Sequence, residues 1–216
     1  TDKKLGREVQ EYLIQKGGET PVVESRVVET EKIDLIRDNM ETVIDVLGLD
    51  RKDDSIGGTA DRVAKMLVKE LCYGLSYNRF PKISVFENKM KYDSMVIQKD
   101  ITFHSLCEHH FVNFNGMAQV AYIPNGKVIG LSKLNRVVNF FARRPQVQER
   151  LNEQIFRALE YVLGTSDIAV LISAEHLCVK SRGIGDQNSG MTTSKLGGAF
   201  FEDPRLRNEF MQLARS

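Results

Sequence analysis

The chain has 216 residues, 42% hydrophobic and 27% charged, so it is long and apolar enough to bury a core without disulfides or structural metals, and it is not disordered. Its 30 Lys and Arg against 29 Asp and Glu leave a net charge of +1, which excludes a broad electrostatic footprint for nucleic acid or a membrane surface. Three cysteines do not make a secreted disulfide framework; no stretch nears the ~18 apolar residues of a membrane span, and Thr1-Asp2-Lys3-Lys4 leads into no apolar signal core, so a soluble, cytoplasmic protein is expected.

Residues 2–16 form an amphipathic pattern, with Leu5, Val9, Tyr12 and Leu13 on one side, and Gly17-Gly18 stops it. Residues 19–30 read as extended. Residues 1–30 are therefore expected to form an N-terminal arm suited to assembly, and residues 31–216 the main domain. From Glu31, the apolar residues Ile33, Ile36, Met40, Val43, Ile44 and Leu47 recur at helical spacing until Gly48. A second helix follows Thr59, read as its N-cap, with Val63, Met66, Leu67 and Leu71 as a buried stripe and Arg62, Lys65 and Lys69 off it. Cys72 reads as core beside Val68 and Leu75.

Beyond this point short runs rich in Val and Ile predict strands at 95–103, 117–123, 127–131 and 167–174. Pro124-Asn125-Gly126 is a turn signal, so the second and third are expected to pair as an antiparallel hairpin. A long helix is expected from Pro145, with Val147, Leu151, Ile155, Leu159 and Val162 on its buried side, and a closing helix over 205–214. The order of elements predicts an α+β fold with a largely antiparallel sheet.

The stretch Cys107-Glu108-His109-His110 concentrates groups able to bind a metal or transfer a proton. Cys107 and His110 are spaced to grip one ion from a turn, and thiolate with imidazole suits zinc. Downstream, His176 and Cys178 stand at i and i+2 near a strand end and are expected on one side of it. Two cysteines with one histidine leave a fourth zinc position for water, whose pKa would fall toward ~7. His109 and His176 would then be free as acid–base groups. Two alternatives stay open on spacing alone: His176 as a fourth ligand closing a structural site, or the cysteines as small buried hydrophobes. His104 reads as structural.

Four segments carry a resemblance. Cys107-Glu108-His109-His110-Phe111, Gly130-Leu131-Ser132-Lys133-Leu134-Asn135-Arg136, Arg144-Pro145-Gln146-Val147-Gln148-Glu149-Arg150-Leu151 and Cys178-Val179-Lys180-Ser181-Arg182-Gly183-Ile184 closely resemble the zinc-dependent GTP cyclohydrolase I family. The similarity runs from about Glu31 to the C-terminus. It implies a tunnelling fold, an antiparallel sheet with helices packed on one face, preceded by N-terminal helices. It further implies a homodecamer of two pentamers with active sites between subunits. The implied reaction turns GTP and water into 7,8-dihydroneopterin triphosphate and formate, the first step toward pterins and tetrahydrofolate.

The resemblance also implies site residues. Zinc falls to Cys107, His110 and Cys178. His109, His176 and Ser132 become catalytic groups, with His109 protonating the guanine imidazole near N7, water adding at C8, His176 assisting proton transfers and Ser132 relaying protons. Arg62, Lys65, Lys133, Arg136 and Arg182 become triphosphate contacts, which a multiply charged anion requires. Glu149, with Gln148 beside it, becomes the guanine reader, because a carboxylate accepts from N1 and the 2-amino group together. Two departures stand out: Thr59-Ala60 where the family commonly has proline after the threonine, and the less typical stretch 185–194. A zinc nucleobase deaminase is the main rival, but its C-x-x-C element is absent. A non-catalytic GTP-binding module is the other, and it should lack a ligand or a catalytic histidine.

Overall fold

The computed structural model describes residues 1–23 and 25–215. The chain divides into two compact units, one made of Thr1–Thr20 with Gly74–Ser216 and the other of Pro21–Tyr73.

The larger unit is built on a five-stranded sheet. Its strands are β2 (Val96–Cys107), β3 (Asn113–Tyr122), β5 (Pro145–Gln146), β6 (Ile168–His176) and β7 (Met191–Leu196), in the spatial order β5-β2-β3-β6-β7. All pairings are antiparallel except β5 with β2. Two short strands, β1 (Val85–Glu87) and β4 (Lys127–Ile129), pair separately.

Alternation decides which side each residue faces. Ile168, Val170, Ile172 and Ala174 of β6 share a face with Ala118 and Val120 of β3, and all are buried. Over this face lie α4 (Leu131–Ala142) and α5 (Gln148–Leu163), α4 against β2 and α5 against β6 and β7. On the opposite face Ala121, Ala169 and Leu171 meet Phe200 of α7 (Ala199–Glu202) and Phe210 of α8 (Pro204–Arg215) at one end. Farther along, Ser173 and Glu175 of that face are exposed. The fold is α+β, as expected, with the main helix pair on one face and a small C-terminal cap on the other.

Helix α1 (Lys3–Gln15) opens with Asp2, whose carboxylate accepts from Leu5 N at 3.0 Å. It buries Gly6, Val9 and Leu13 and packs on α5 and on the 3-10 turn Tyr77–Arg79.

In the larger unit two expectations need correction and one helix was not foreseen. The 117–123 and 127–131 runs do not form a hairpin. Both edges of β3 are taken, by β2 and β6, so β4 pairs with β1 instead, and the sheet's hairpin is β2–β3. The helix expected from Pro145 starts at Gln148, because Pro145 and Gln146 extend alongside Leu106 and Cys107. Helix α4 was not foreseen, since its start falls in the run read as strand 127–131.

In the smaller unit, α2 (Glu29–Val46) packs with α3 (Thr59–Lys65), which continues as a π-helical turn, Met66–Leu71. Thr59 is the first helical residue rather than the cap, which is Gly58. Of α3 and its π turn only Ala60 and Ala64 are buried; of the expected stripe, Val63, Leu67 and Leu71 are half-buried and Met66 is exposed. Among the described residues, no helix is long and apolar enough to cross a membrane.

Candidate metal centre and active site

The β2–β3 connection is a tight turn. Cys107 N donates to Val112 O and Phe111 N to Cys107 O, each at 2.9 Å. Phe111 closes it at φ 53°, a conformation uncommon outside glycine. Cys107 therefore ends a buried strand while His109 and His110 project from an exposed turn.

The third donor arrives through sheet register. β3 pairs with β6 so that Phe114 stands opposite His176, which brings the end of β6 beside the turn. There β6 passes into one helical turn, α6 (Leu177–Lys180), with His176 at its N-cap position. His176 and Cys178 thus do not share one strand face, as sequence spacing suggested. His176 ends the strand and Cys178 lies in the helical turn.

The donor atoms of Cys107, His110 and Cys178 all lie within 4.8 Å of one another. Arg182 Nη1 donates to His110 Nε2 at 2.7 Å. Burial pushes the Cys178 thiol up, and the neighbouring Cys107 adds to this, while Arg182 opposes it. Two sulfurs and an imidazole held this close, with no carboxylate among them, suit a thiophilic cation and fit zinc. Glu108 is outside the set. Arg150 on α5 grips both its oxygens, at 2.6 and 3.2 Å, and this guanidinium holds the carboxyl below its usual range.

The two proposed acid–base histidines sit differently. His109 Nδ1 is 3.8 Å from Cys107 Sγ, on the exposed turn. His176 is half-buried and stacked on Phe114, and its Nε2 lies 2.8 Å from Gln148 Oε1. Burial lowers the His176 pKa, with Glu149 opposing.

Gln148 is 1% exposed, and its amide nitrogen donates to Ile172 O, Met191 O and Thr193 Oγ1. Its side chain is committed to holding His176 and the sheet. Glu149, one residue on, is exposed and lines a groove with Asn152, Glu153, Thr193, Ser194 and Lys195. It also stands in the first turn of α5, where the helix dipole favours a carboxylate.

Ser132, Lys133 and Arg136 lie together in the first turns of α4. Neither Lys133 nor Arg136 has an ion-pair partner among the described residues, and no hydrogen bond links them to the cysteine–histidine cluster. In the smaller unit, Arg62 donates to Ser55 O and Thr59 Oγ1, and Lys65 pairs with Asp61 at 2.7 Å.

Sequence reasoning missed the roles of Phe114, Arg150 and Gln148. For Gln148 a signal existed: it falls in phase with Leu151, Ile155, Leu159 and Val162, hence on the buried face of α5. His104, read as structural, has Nδ1 2.8 Å from Asn115 Oδ1 across the β2–β3 pair.

Comparison with known proteins gives the family. The sequence model of the family described as GTP cyclohydrolase I matches residues 36–215. GTP cyclohydrolase 1 of Aeromonas salmonicida (strain A449) is 52% identical over 203 residues, 94% of this chain and 93% of that one. GTP cyclohydrolase 1 of Klebsiella pneumoniae (strain 342) is 53% identical over 210 residues, 96% of this chain and 94% of that one. With the match to these relatives extending over nearly its whole length, the chain belongs to the GTP cyclohydrolase I family of enzymes.

Proposed function

We propose that this chain hydrolyses GTP to 7,8-dihydroneopterin triphosphate and formate, using zinc held by Cys107, His110 and Cys178. The observation that carries the reading is the convergence of those three donor atoms within 4.8 Å in a chain of this family. A bound zinc would supply Lewis acidity, lowering the pKa of a water toward ~7 for addition at C8 of guanine.

The protein's own groups do the rest. His109, beside Cys107, donates a proton to N7 and so makes C8 electrophilic. His176, whose pKa burial lowers, accepts and returns protons as the imidazole ring opens, formate leaves and the sugar rearranges. Ser132 relays protons in the later steps. Glu149 accepts from guanine N1 and the 2-amino group, which its exposed position in a groove supports. Gln148, proposed from its motif as a neighbouring contact, acts by fixing His176.

Lys133, Arg136 and Arg182, with Arg62 and Lys65, neutralise the triphosphate. The cations on α4, which have no ion-pair partner among the described residues, support a site completed by another subunit, as in a homodecamer of two pentamers. Residues 1–30 would serve that assembly as an arm, ahead of a catalytic domain spanning 31–216. The reaction would open pterin and tetrahydrofolate synthesis. Three free thiols, two of them proposed ligands, suit the reducing cytoplasm.

The test is purified protein with GTP, following formate and ultraviolet absorbance with and without a zinc chelator. Formate release that stops on zinc removal and returns on reloading is expected, and Cys107→Ser or Cys178→Ser should lose metal and turnover together. Undiminished formate release from zinc-free protein would break the metal assignment. Ammonia in place of formate would point to a deaminase.

A further inference from the structure

Directly behind the metal-binding turn lies a buried polar network that the reaction chemistry does not use. Gln146, Gln154 and Arg144 are fully buried, and Thr20 is nearly so. Their bonds form a continuous path. Glu108 N, adjacent to the ligand Cys107, donates to Gln146 O at 3.0 Å. Gln146 Nε2 donates to Gln154 Oε1 at 2.7 Å and to Phe141 O at 3.1 Å. Gln154 Nε2 donates in turn to Gly18 O at 2.9 Å and Thr20 Oγ1 at 3.1 Å. A second branch joins at the same threonine. Arg144 Nη1 reaches Thr20 Oγ1, Glu19 Oε1 and the Tyr77 hydroxyl, Arg144 Nη2 donates to Gly74 O, and Arg144 O accepts from Ser105 Oγ at 3.4 Å.

Both branches end on the two-residue strand β5, which pairs in parallel with Leu106 and Cys107. So short a strand has little ladder of its own to hold it. Its placement falls to the side chains on either side of Pro145, Arg144 and Gln146, and these are tied to residues 18–20 after α1. Gln146 Oε1 and Arg144 Nε are buried without a hydrogen-bond partner among the described residues, but the remaining groups are paired, and breaking those bonds would leave further buried polar atoms unpaired, so the path resists displacement.

We infer that the segment Gly18–Thr20, acting through Gln154, Gln146 and Arg144, sets the position of Cys107 and so tunes how tightly the site binds its metal. Thr20, Gln146 and Gln154 are positioning residues. They touch neither metal nor substrate. Outer-shell partners of metal ligands commonly change affinity by about 10–100-fold when removed. A path acting through a main-chain bond belongs near the lower end of that range.

The inference rests on Cys107, His110 and Cys178 being the metal site, and the experiment separates the two claims. The full-length chain is prepared as Thr20→Val, Thr20→Ser and Gln154→Leu, and loaded with zinc or cobalt(II). Zinc affinity is measured by chelator competition, and the thiolate-to-cobalt absorption bands are recorded. Thr20→Val nearly preserves shape but removes the acceptor shared by Arg144 and Gln154, and should weaken zinc binding about tenfold and shift the cobalt bands. Gln154→Leu should do at least as much. Thr20→Ser, which keeps the hydroxyl, should restore wild-type values. Unchanged affinity and cobalt spectra in both Thr20→Val and Gln154→Leu, or no rescue by serine, would overturn the inference. A wild-type chain without thiolate–cobalt bands would instead overturn the metal-site reading. Should Gln154→Leu fail to fold, the Thr20 pair decides alone.

Discussion

The imidazole of His176 lies flat on the ring of Phe114, with centroids 4.6 Å apart and planes 3° from parallel. The two residues are cross-strand partners at the point where β3 and β6 reach the turn that follows Cys107. Stacking fixes the plane of the imidazole, and Gln148 Oε1 fixes its rotation through Nε2. One ring nitrogen is therefore spoken for, and the proton transfer proposed for His176 would run through Nδ1.

The commitment of Gln148 predicts a kinetic signature. Gln148→Leu should lower kcat by roughly tenfold to a hundredfold, part of what general acid–base catalysis contributes, with little change in KM for GTP. Glu149→Gln, altering the exposed carboxylate next to it, should chiefly raise KM. Steady-state formate release would check both, and a KM effect dominating in Gln148→Leu would make that residue a substrate contact instead.

Cys72 should behave as an inert thiol. Burial pushes its pKa up to about 11. At pH 8 that leaves on the order of a hundredfold fewer thiolates than a thiol at the ordinary ~8.5, and the thiolate is the reactive form. In a Cys107→Ser, Cys178→Ser background, iodoacetamide labelling of Cys72 followed by mass spectrometry should be correspondingly slow. Labelling at the rate of a free peptide thiol would show that the helix end is open.

Glu153 should contribute to stability in a pH-dependent way. Burial raises its pKa, but hydrogen bonds from Lys195 at 2.8 Å and Arg157 at 2.7 Å prevail and hold it below 4.5. A carboxyl whose folded pKa lies below its unfolded value stabilises the fold above the unfolded pKa, ~4.3, and loses that contribution as pH falls through the folded value. Glu153→Gln should therefore cost up to about 1 kcal/mol at pH 7. Thermal melts of the two proteins should differ at pH 7 and converge as the pH falls below the folded pKa of Glu153. A constant difference across that range would remove the ionised pair from the explanation.

Parts of this site are legible in the sequence and parts are not, for identifiable reasons. Cys107 and His110 are legible because a turn brings i and i+3 together whatever surrounds it. Cys178 is legible as a donor type, but its convergence on the turn depends on the β3–β6 register, a long-range pairing that local pattern does not encode. The turn signal at Pro124-Asn125-Gly126 is real, with Gly126 at φ 71°, yet the strand after it leaves for β1 because β3 already has two neighbours. Helix α4 buries Leu134, Val137, Val138, Phe140 and Phe141, and its β-branched and aromatic residues are weak helix formers that tertiary packing overrides. The network of Gln146 and Gln154 was hidden by residue type, since glutamine is ordinarily a surface residue.

The attachment of α1 supplies a last prediction, in which two opposing effects can be weighed. Gly6 is an interior helical residue, and replacing it with alanine should gain up to about 1 kcal/mol from helix propensity alone. A Cβ there, however, would lie 2.3 Å from Tyr77 O and 2.9 Å from Phe80 Cβ. The nearer atom is backbone, held in a 3-10 turn, and Phe80 is itself fully buried against Phe140 and Phe141. Neither can swing aside as a flexible side chain would, so α1 must shift, at an overpacking cost of about 1–3 kcal/mol. The clash outweighs the propensity, and Gly6→Ala should lower Tm, whereas Gly6→Ala on a neutral surface would raise it. Because α1 leads into Gly18–Thr20, the same variant should also bind zinc more weakly, by chelator competition. Destabilisation with wild-type zinc affinity would confine the role of α1 to folding.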